Sequence, residues 1–132
     1  MGLLDGVPHA LPALARCQRV SELAAAAGFE WESVDDVWDQ VADERREFSA
    51  EPRGSAEATE EFGDLLFALV NVARWEGVDA EQALAVSTDK FCRRWARMEA
   101  WAEDAGVRLE SLSTERLNEL WGEAKSAERG EG

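Results

Sequence analysis

The stretch EEFGDLLFALVNVAR, residues 60–74, constrains this chain more than any other. From Leu65 to Val70 it is apolar without a break, the pattern of a helix enclosed on all sides. Yet Glu60, Glu61 and Asp64 crowd its front, and Asn71 interrupts its far end. Burying ionised carboxylates unpaired is costly, so a core-bound helix that carries them needs something to hold them.

The punctuation around this stretch predicts an all-α chain of five helices. Leu14, Cys17, Ala24 and Ala27 mark one face of a first helix that Gly28 ends. Ser33 followed by Asp36 resembles a capping box, with Asp in place of the usual Glu or Gln. It opens a second helix with Val34, Val37, Trp38, Val41 and Phe48 on its apolar side. EPRGSAE then breaks the chain, and a third helix runs from Ala56 to Trp75 before Gly77. Asp79 caps a fourth helix that reaches Glu103, with Gly106 beyond it. Leu117, Leu120, Trp121 and Ala124 outline a short fifth. No alternating run bounded by turn residues suggests a strand. At 132 residues the expectation is a single domain over 1–132, with 1–10 and 127–132 as loose ends.

Composition narrows the function. Hydrophobic residues make up 45% and charged residues 32%, a globular rather than a disordered balance. No apolar run approaches the roughly 18 residues of a membrane span, and the N-terminal residues lack the pattern of a secretory signal. Cys17 and Cys92 do not suggest a disulfide framework or a zinc site, so a reducing cytoplasm is the expected home. A net charge of −14 argues against nucleic acid and against an anionic membrane surface as partners. A phosphorylated ligand still fits if divalent ions stand between it and the carboxylates.

Helical geometry sorts those carboxylates. With Val37 as reference, Val41 and Phe48 fall about 40° and about 20° to one side, and Glu44 about 20° to the other, inside the apolar stripe. Glu47 falls about 80° away, on the stripe's edge, and Asp43 about 120° away, facing solvent. On the third helix Glu57, Glu60, Glu61, Asp64 and Asn71 form one polar seam. Two helices thus each present an acidic pair at i, i+3: Glu44 with Glu47, and Glu61 with Asp64. A solvated acidic face is the plain reading of such pairs. Against it, like charges at this spacing disfavour each helix, with no Lys or Arg beside Glu61 and Asp64. Four carboxylates converging from two helices would form an oxygen-only site suited to Mg²⁺, or to Mn²⁺ in its place. A di-iron site would call for Glu-x-x-His pairs, and His9 is the lone histidine.

Two further features stay open on the residues alone. Lys90 and Arg94, with Arg93 beside them, could form an anion clamp or pair with the abundant carboxylates. Of the six tryptophans, Trp38 and Trp95 are expected in apolar stripes. Trp121 could close a core or stack on a nucleobase.

The residues LDGVPHALPALARCQRV, GFEWESVDDVWDQVADERREF, EEFGDLLFALVNVAR, STDKFCRRW and LNELWGEAK resemble the MazG nucleoside triphosphate pyrophosphohydrolases of the all-α NTP pyrophosphatase superfamily. The family pattern EExxE, a spacer, then ExxD is read here as DERRE at 43–47 and EFGD at 61–64, with Asp43 at the first position. Gln40 stands where relatives often carry Lys. The resemblance implies Mg²⁺-dependent hydrolysis of a nucleoside triphosphate to the monophosphate and pyrophosphate. It implies Glu44, Glu47, Glu61 and Asp64 as catalytic metal ligands, Lys90 and Arg94 on the phosphates, and Trp121 on the base. It also implies a homodimer or higher oligomer around a four-helix core. LDGVPHALPAL resembles the segment joining two such domains in longer members, so a single-domain relative and a second domain both remain open. Asn71 is a candidate ligand contact on the acidic seam; low base selectivity is the expectation, and no residue that reads a base edge can be named. The rival reading is an inactive relative acting as an acidic helical interaction module.

Overall fold

The computed structural model describes residues 2–131 and contains five α-helices, with no strand among the described residues. They are α1 (Ala13–Ala26), α2 (Val34–Ser49), α3 (Ala56–Trp75), α4 (Ala80–Ala105) and α5 (Thr114–Glu131), with a 3₁₀ turn at Leu109–Ser111. The chain resolves into two compact units, one over residues 2–83 and one over 84–131.

Local chemistry sets the boundaries. The Ser33 hydroxyl accepts the Asp36 N–H and starts α2, and Ser55 does the same for Ala58 at the start of α3. The Asp79 carboxylate accepts the Gln82 N–H at 3.0 Å, which caps α4 as its spacing predicts. Gly77 and Gly106 take the left-handed conformation (φ 71° and 70°) that stops α3 and α4. In each case the next N–H returns to a carbonyl one turn back, Val78 to Ala73 and Val107 to Ala102.

In the first unit α2 packs along α3, and α1 also packs on α3. Val37 is fully enclosed, as are nearly all of Ala68, Val70 and Val72. The apolar run of α3 is nevertheless not surrounded: Leu66, Phe67 and Leu69 remain exposed together with Phe62. One side of the run meets α1 and α2, and the other leaves Phe62, Leu66 and Leu69 on a common line at i, i+4, i+7. Trp38 and Trp95, expected to fill apolar stripes, are 49% and 39% exposed. Trp38 follows Val37 directly, and one residue turns a helical side chain by about 100°, off the buried line.

The second unit is built on Met98 and Ala102 of α4, Leu109 of the 3₁₀ turn, and Leu120 and Ala124 of α5. Leu117 and Trp121 pack against that core. α5 is longer than the short helix expected around residues 117–124. It begins where Ser113 accepts the Arg116 N–H and continues through residues 127–131, which were expected to be loose. At the other end Val7, within the expected loose segment 1–10, is buried.

Candidate metal centre and its cleft

The packing of α2 along α3 brings the two acidic pairs together. One carboxylate oxygen from each of Glu44, Glu61 and Asp64 lies within 4.8 Å of the other two. Glu47 is not part of that three-oxygen group but stands beside it, close enough to act on both Glu44 and Glu61. Asp43 points away and pairs with Arg46 at the surface, and Glu60 is exposed outside the group.

The electrostatics are those of an unbalanced anionic site. Burial, followed by the charge of Glu47, raises the pKa of Glu44, with Asp64 adding to it. The Gln40 side-chain amide donates to Glu44 Oε1 and works in the opposite direction. Burial and then Glu47 also raise Glu61, with Asp64 and Glu44 contributing, and no cation offsets the rise. Glu44 Oε2 and Glu61 Oε2 are buried and have no hydrogen-bond partner. Orphaned oxygens of this kind are costly in a folded protein and call for a partner. Clustered hard oxygen donors without a nitrogen or sulfur ligand fit Mg²⁺ or Mn²⁺ better than softer metals.

Glu44 and Asp64 line a cleft of about 370 Å³ in the first unit. Its walls include Phe29, Trp31, Gln40, Glu44, Asp64 and Asn71. That volume falls in the range of small-ligand sites. Asn71, expected on the polar seam, is therefore in the same cleft as the acids. Its Oδ1 accepts from the Ser21 hydroxyl and from Arg74 Nη2 at 3.3 Å. Since arginine can only donate, this contact identifies the amide oxygen as the acceptor and leaves Nδ2 as the donor.

Arg74 was not singled out by sequence reasoning, yet it is the hub of this wall. Its Nε donates to the Ser21 hydroxyl at 2.8 Å, and its two terminal nitrogens bind the Glu30 carboxylate at 2.6 and 2.8 Å. Trp75 Nε1 adds a third donor to Glu30 at 3.1 Å. The hydrogen bonds from Arg74 hold the Glu30 carboxyl down at about 2. Ser21, Phe29, Glu30 and Trp31 were equally unassigned. The one signal for Arg74 was its i+3 spacing from Asn71.

The remaining predicted site residues belong to the second unit. Arg93 and Arg94 both bind Glu128, at 2.9 and 2.8 Å, so the ion-pair alternative accounts for their contacts here. Arg94 is buried and also lies over the Trp121 ring, 5.4 Å from its centroid. Trp121 tilts against Phe91 at 4.9 Å and packs on the second core. Lys90 is exposed.

No family model matches the chain. Over 89% of its length it is 40% identical to the nucleoside triphosphate pyrophosphohydrolase/pyrophosphatase MazG of Thermotoga maritima, of which it covers 46%. Over 95% of its length it is 38% identical to the nucleoside triphosphate pyrophosphohydrolase of Escherichia coli strain K12, of which it covers 49%. A stretch of 69 residues, 52% of this chain and 14% of the relative, is 51% identical to the uncharacterized protein YabN of Bacillus subtilis. The chain thus spans about half the length of the curated MazG relatives it matches. Two acidic pairs meet across α2 and α3, and along nearly the whole chain the sequence is similar to proteins of the MazG family.

Proposed function

We propose that this chain hydrolyses nucleoside triphosphates to nucleoside monophosphate and pyrophosphate in a Mg²⁺-dependent reaction with low base selectivity. The observation that carries the reading is the convergence of Glu44, Glu61 and Asp64, two of them with orphaned buried oxygens. The names of the relatives support the reaction class. Glu44, Glu61, Asp64 and the adjacent Glu47 would hold the metal. Bound Mg²⁺ supplies charge screening of the triphosphate and activation of a water. The chain's own residues do the rest. Glu47, beside the three-oxygen group, orients that water and takes its proton. Asn71 Nδ2, fixed by Arg74, donates to the substrate in the cleft. By resemblance alone, Lys90 and Arg94 are the proposed phosphate contacts, and Trp121, whose ring packs on the second core, is the alternative base contact to the aromatic residues of the cleft.

The protein is further proposed to work as one MazG-like domain over 1–132, in the cytoplasm, as a homodimer or higher homo-oligomer. The exposed line Phe62, Leu66 and Leu69 supports self-association, since such a stripe is ordinarily covered. Among the described residues no helix is long and apolar enough to cross a membrane. The net charge of −14 speaks against a nucleic-acid partner.

Release of pyrophosphate from mixed nucleoside triphosphates, with and without Mg²⁺, tests the reading. The wild type should turn over only with the divalent ion, and Glu61→Gln should lose nearly all of that activity. Inactivity of the wild type with every divalent metal would refute the hydrolase and favour the interaction module, whereas full activity of Glu61→Gln would remove Glu61 from the metal centre.

A further inference from the structure

Deepening the proposed hydrolase and resting on it, we propose that Phe29 and Trp31 form the wall on which the substrate's nucleobase lies, with Glu30 between them as its anchor. Phe29 is 85% exposed and Trp31 38% exposed, although both line the same cleft as Glu44 and Asp64. A phenylalanine so open to water contributes little to folding, because the apolar area it removes from solvent is small. Its place on the cleft is better explained by a ligand with a flat apolar face.

The cleft is lined by two chemically different kinds of side chain. The carboxylates suit a metal-bound polyphosphate, and the aromatic side chains suit a planar ring. A nucleoside triphosphate whose phosphates reach Glu44 and Asp64 shares the cleft with Phe29 and Trp31, which offer its base a flat apolar contact. Every base has a π-face, so a stacking wall binds all of them. Low base selectivity follows from the same geometry.

Glu30 explains how a loop can serve this purpose. Residues 29–31 lie between α1 and α2 outside any helix. The Glu30 carboxylate accepts from both terminal nitrogens of Arg74, from Trp75 Nε1, and from the Trp31 backbone N–H at 2.9 Å. The aromatic pair is therefore tied to the C-terminal end of α3, the helix that also carries Glu61, Asp64 and Asn71. Glu30 is a positioning residue, acting on the base through the rings beside it.

The test is steady-state hydrolysis of ATP, GTP, CTP and UTP by wild type, Phe29→Ala, Trp31→Ala and Glu30→Gln, with inorganic tripolyphosphate as a competitive inhibitor. Tripolyphosphate carries the phosphates without the base. Phe29→Ala and Trp31→Ala should each raise KM roughly tenfold for all four nucleotides, the effect of losing one stacking face. Their Ki for tripolyphosphate should stay at the wild-type value. Glu30→Gln should raise KM severalfold with a smaller change in kcat, again sparing the tripolyphosphate Ki. A parallel urea melt establishes that each variant is folded. Unchanged KM in both aromatic variants, or a tripolyphosphate Ki that rises along with KM, overturns the base wall while leaving the hydrolase standing. A wild type without turnover overturns both.

Discussion

Metal-free protein should become more stable, not less, when Glu44 is replaced by glutamine. Glu44 Oε2 is buried without a partner, and Glu47 and Asp64 act on it as like charges. Glutamine has nearly the same shape and its carbonyl oxygen can still accept from Gln40, as Glu44 Oε1 does now. Its amide nitrogen can donate toward Asp64, whose oxygen lies within 4.8 Å of a Glu44 oxygen. Two unit charges at that separation repel by about 0.9 kcal/mol in water and about 3.5 kcal/mol at an effective dielectric constant of 20. Glu44 is half-buried, so removing its charge should raise unfolding free energy by about 1–2 kcal/mol. At roughly 4 °C per kcal/mol for a chain of this size, Tm should rise by about 4–8 °C. Mg²⁺ should reverse the ranking, because an ion at 100 times its Kd adds about 2.7 kcal/mol to the protein that binds it. Wild type gains that increment, and Glu44→Gln, lacking a ligand charge, gains far less. Scanning calorimetry of both proteins in chelator and in excess Mg²⁺ reads all four values. A glutamine variant less stable than wild type in chelator, or a wild-type Tm indifferent to Mg²⁺ and Mn²⁺, would refute the argument that these acids are held against their own repulsion for a cation.

Arg74→Met should lower unfolding free energy by about 2–4 kcal/mol in a urea titration, because Ser21, Glu30 and Asn71 all lose a donor from a side chain only 13% exposed. A loss below about 0.5 kcal/mol would mean that the hub is ornamental. Asp43→Ala should change stability by less than about 0.5 kcal/mol and leave pyrophosphate release intact, since Asp43 makes an exposed ion pair with Arg46 outside the acidic group. A strong loss of activity would instead place Asp43 in the site. Acid should weaken the first unit through Glu30, whose carboxyl sits at about 2 in the fold against an ordinary 4.5. A depressed folded pKa stabilises above the unfolded value and is lost as pH falls, so the loss should run from about pH 5 down to about pH 2. With the Glu30 side chain 32% exposed, solvent screening reduces that contribution to about 1 kcal/mol. Acid titrations of wild type and Glu30→Gln by circular dichroism should differ in this window, and superimposable curves would remove Glu30 from the account.

What could be read from the sequence follows the range of the physics involved. The bounds of α3 were legible because Ser55 and Gly77 act within a few residues of themselves. The acidic seam was legible because i, i+3 spacing is a property of one helix. The extension of α5 was not, since AERGE near the chain end carries no apolar periodicity; its tie is Glu128, which accepts from Arg93 and Arg94 more than 30 residues earlier. The Arg74 hub was hidden for the same reason, with Ser21 53 residues away and Glu30 44. Wheel angles placed Glu44 inward and Glu47 at the edge, and the cluster preserves that difference: Glu44 joins Glu61 and Asp64, while Glu47 stands beside them. Angles about a single helix axis can order residues around it. Which oxygens meet depends on how α2 seats on α3, and that is decided by Val37, Ala68 and their neighbours. The opening contradiction in residues 60–74 resolves at this level. Packing buries one side of α3 and presses its carboxylates against those of α2, so the core creates the charge conflict that a divalent ion would relieve.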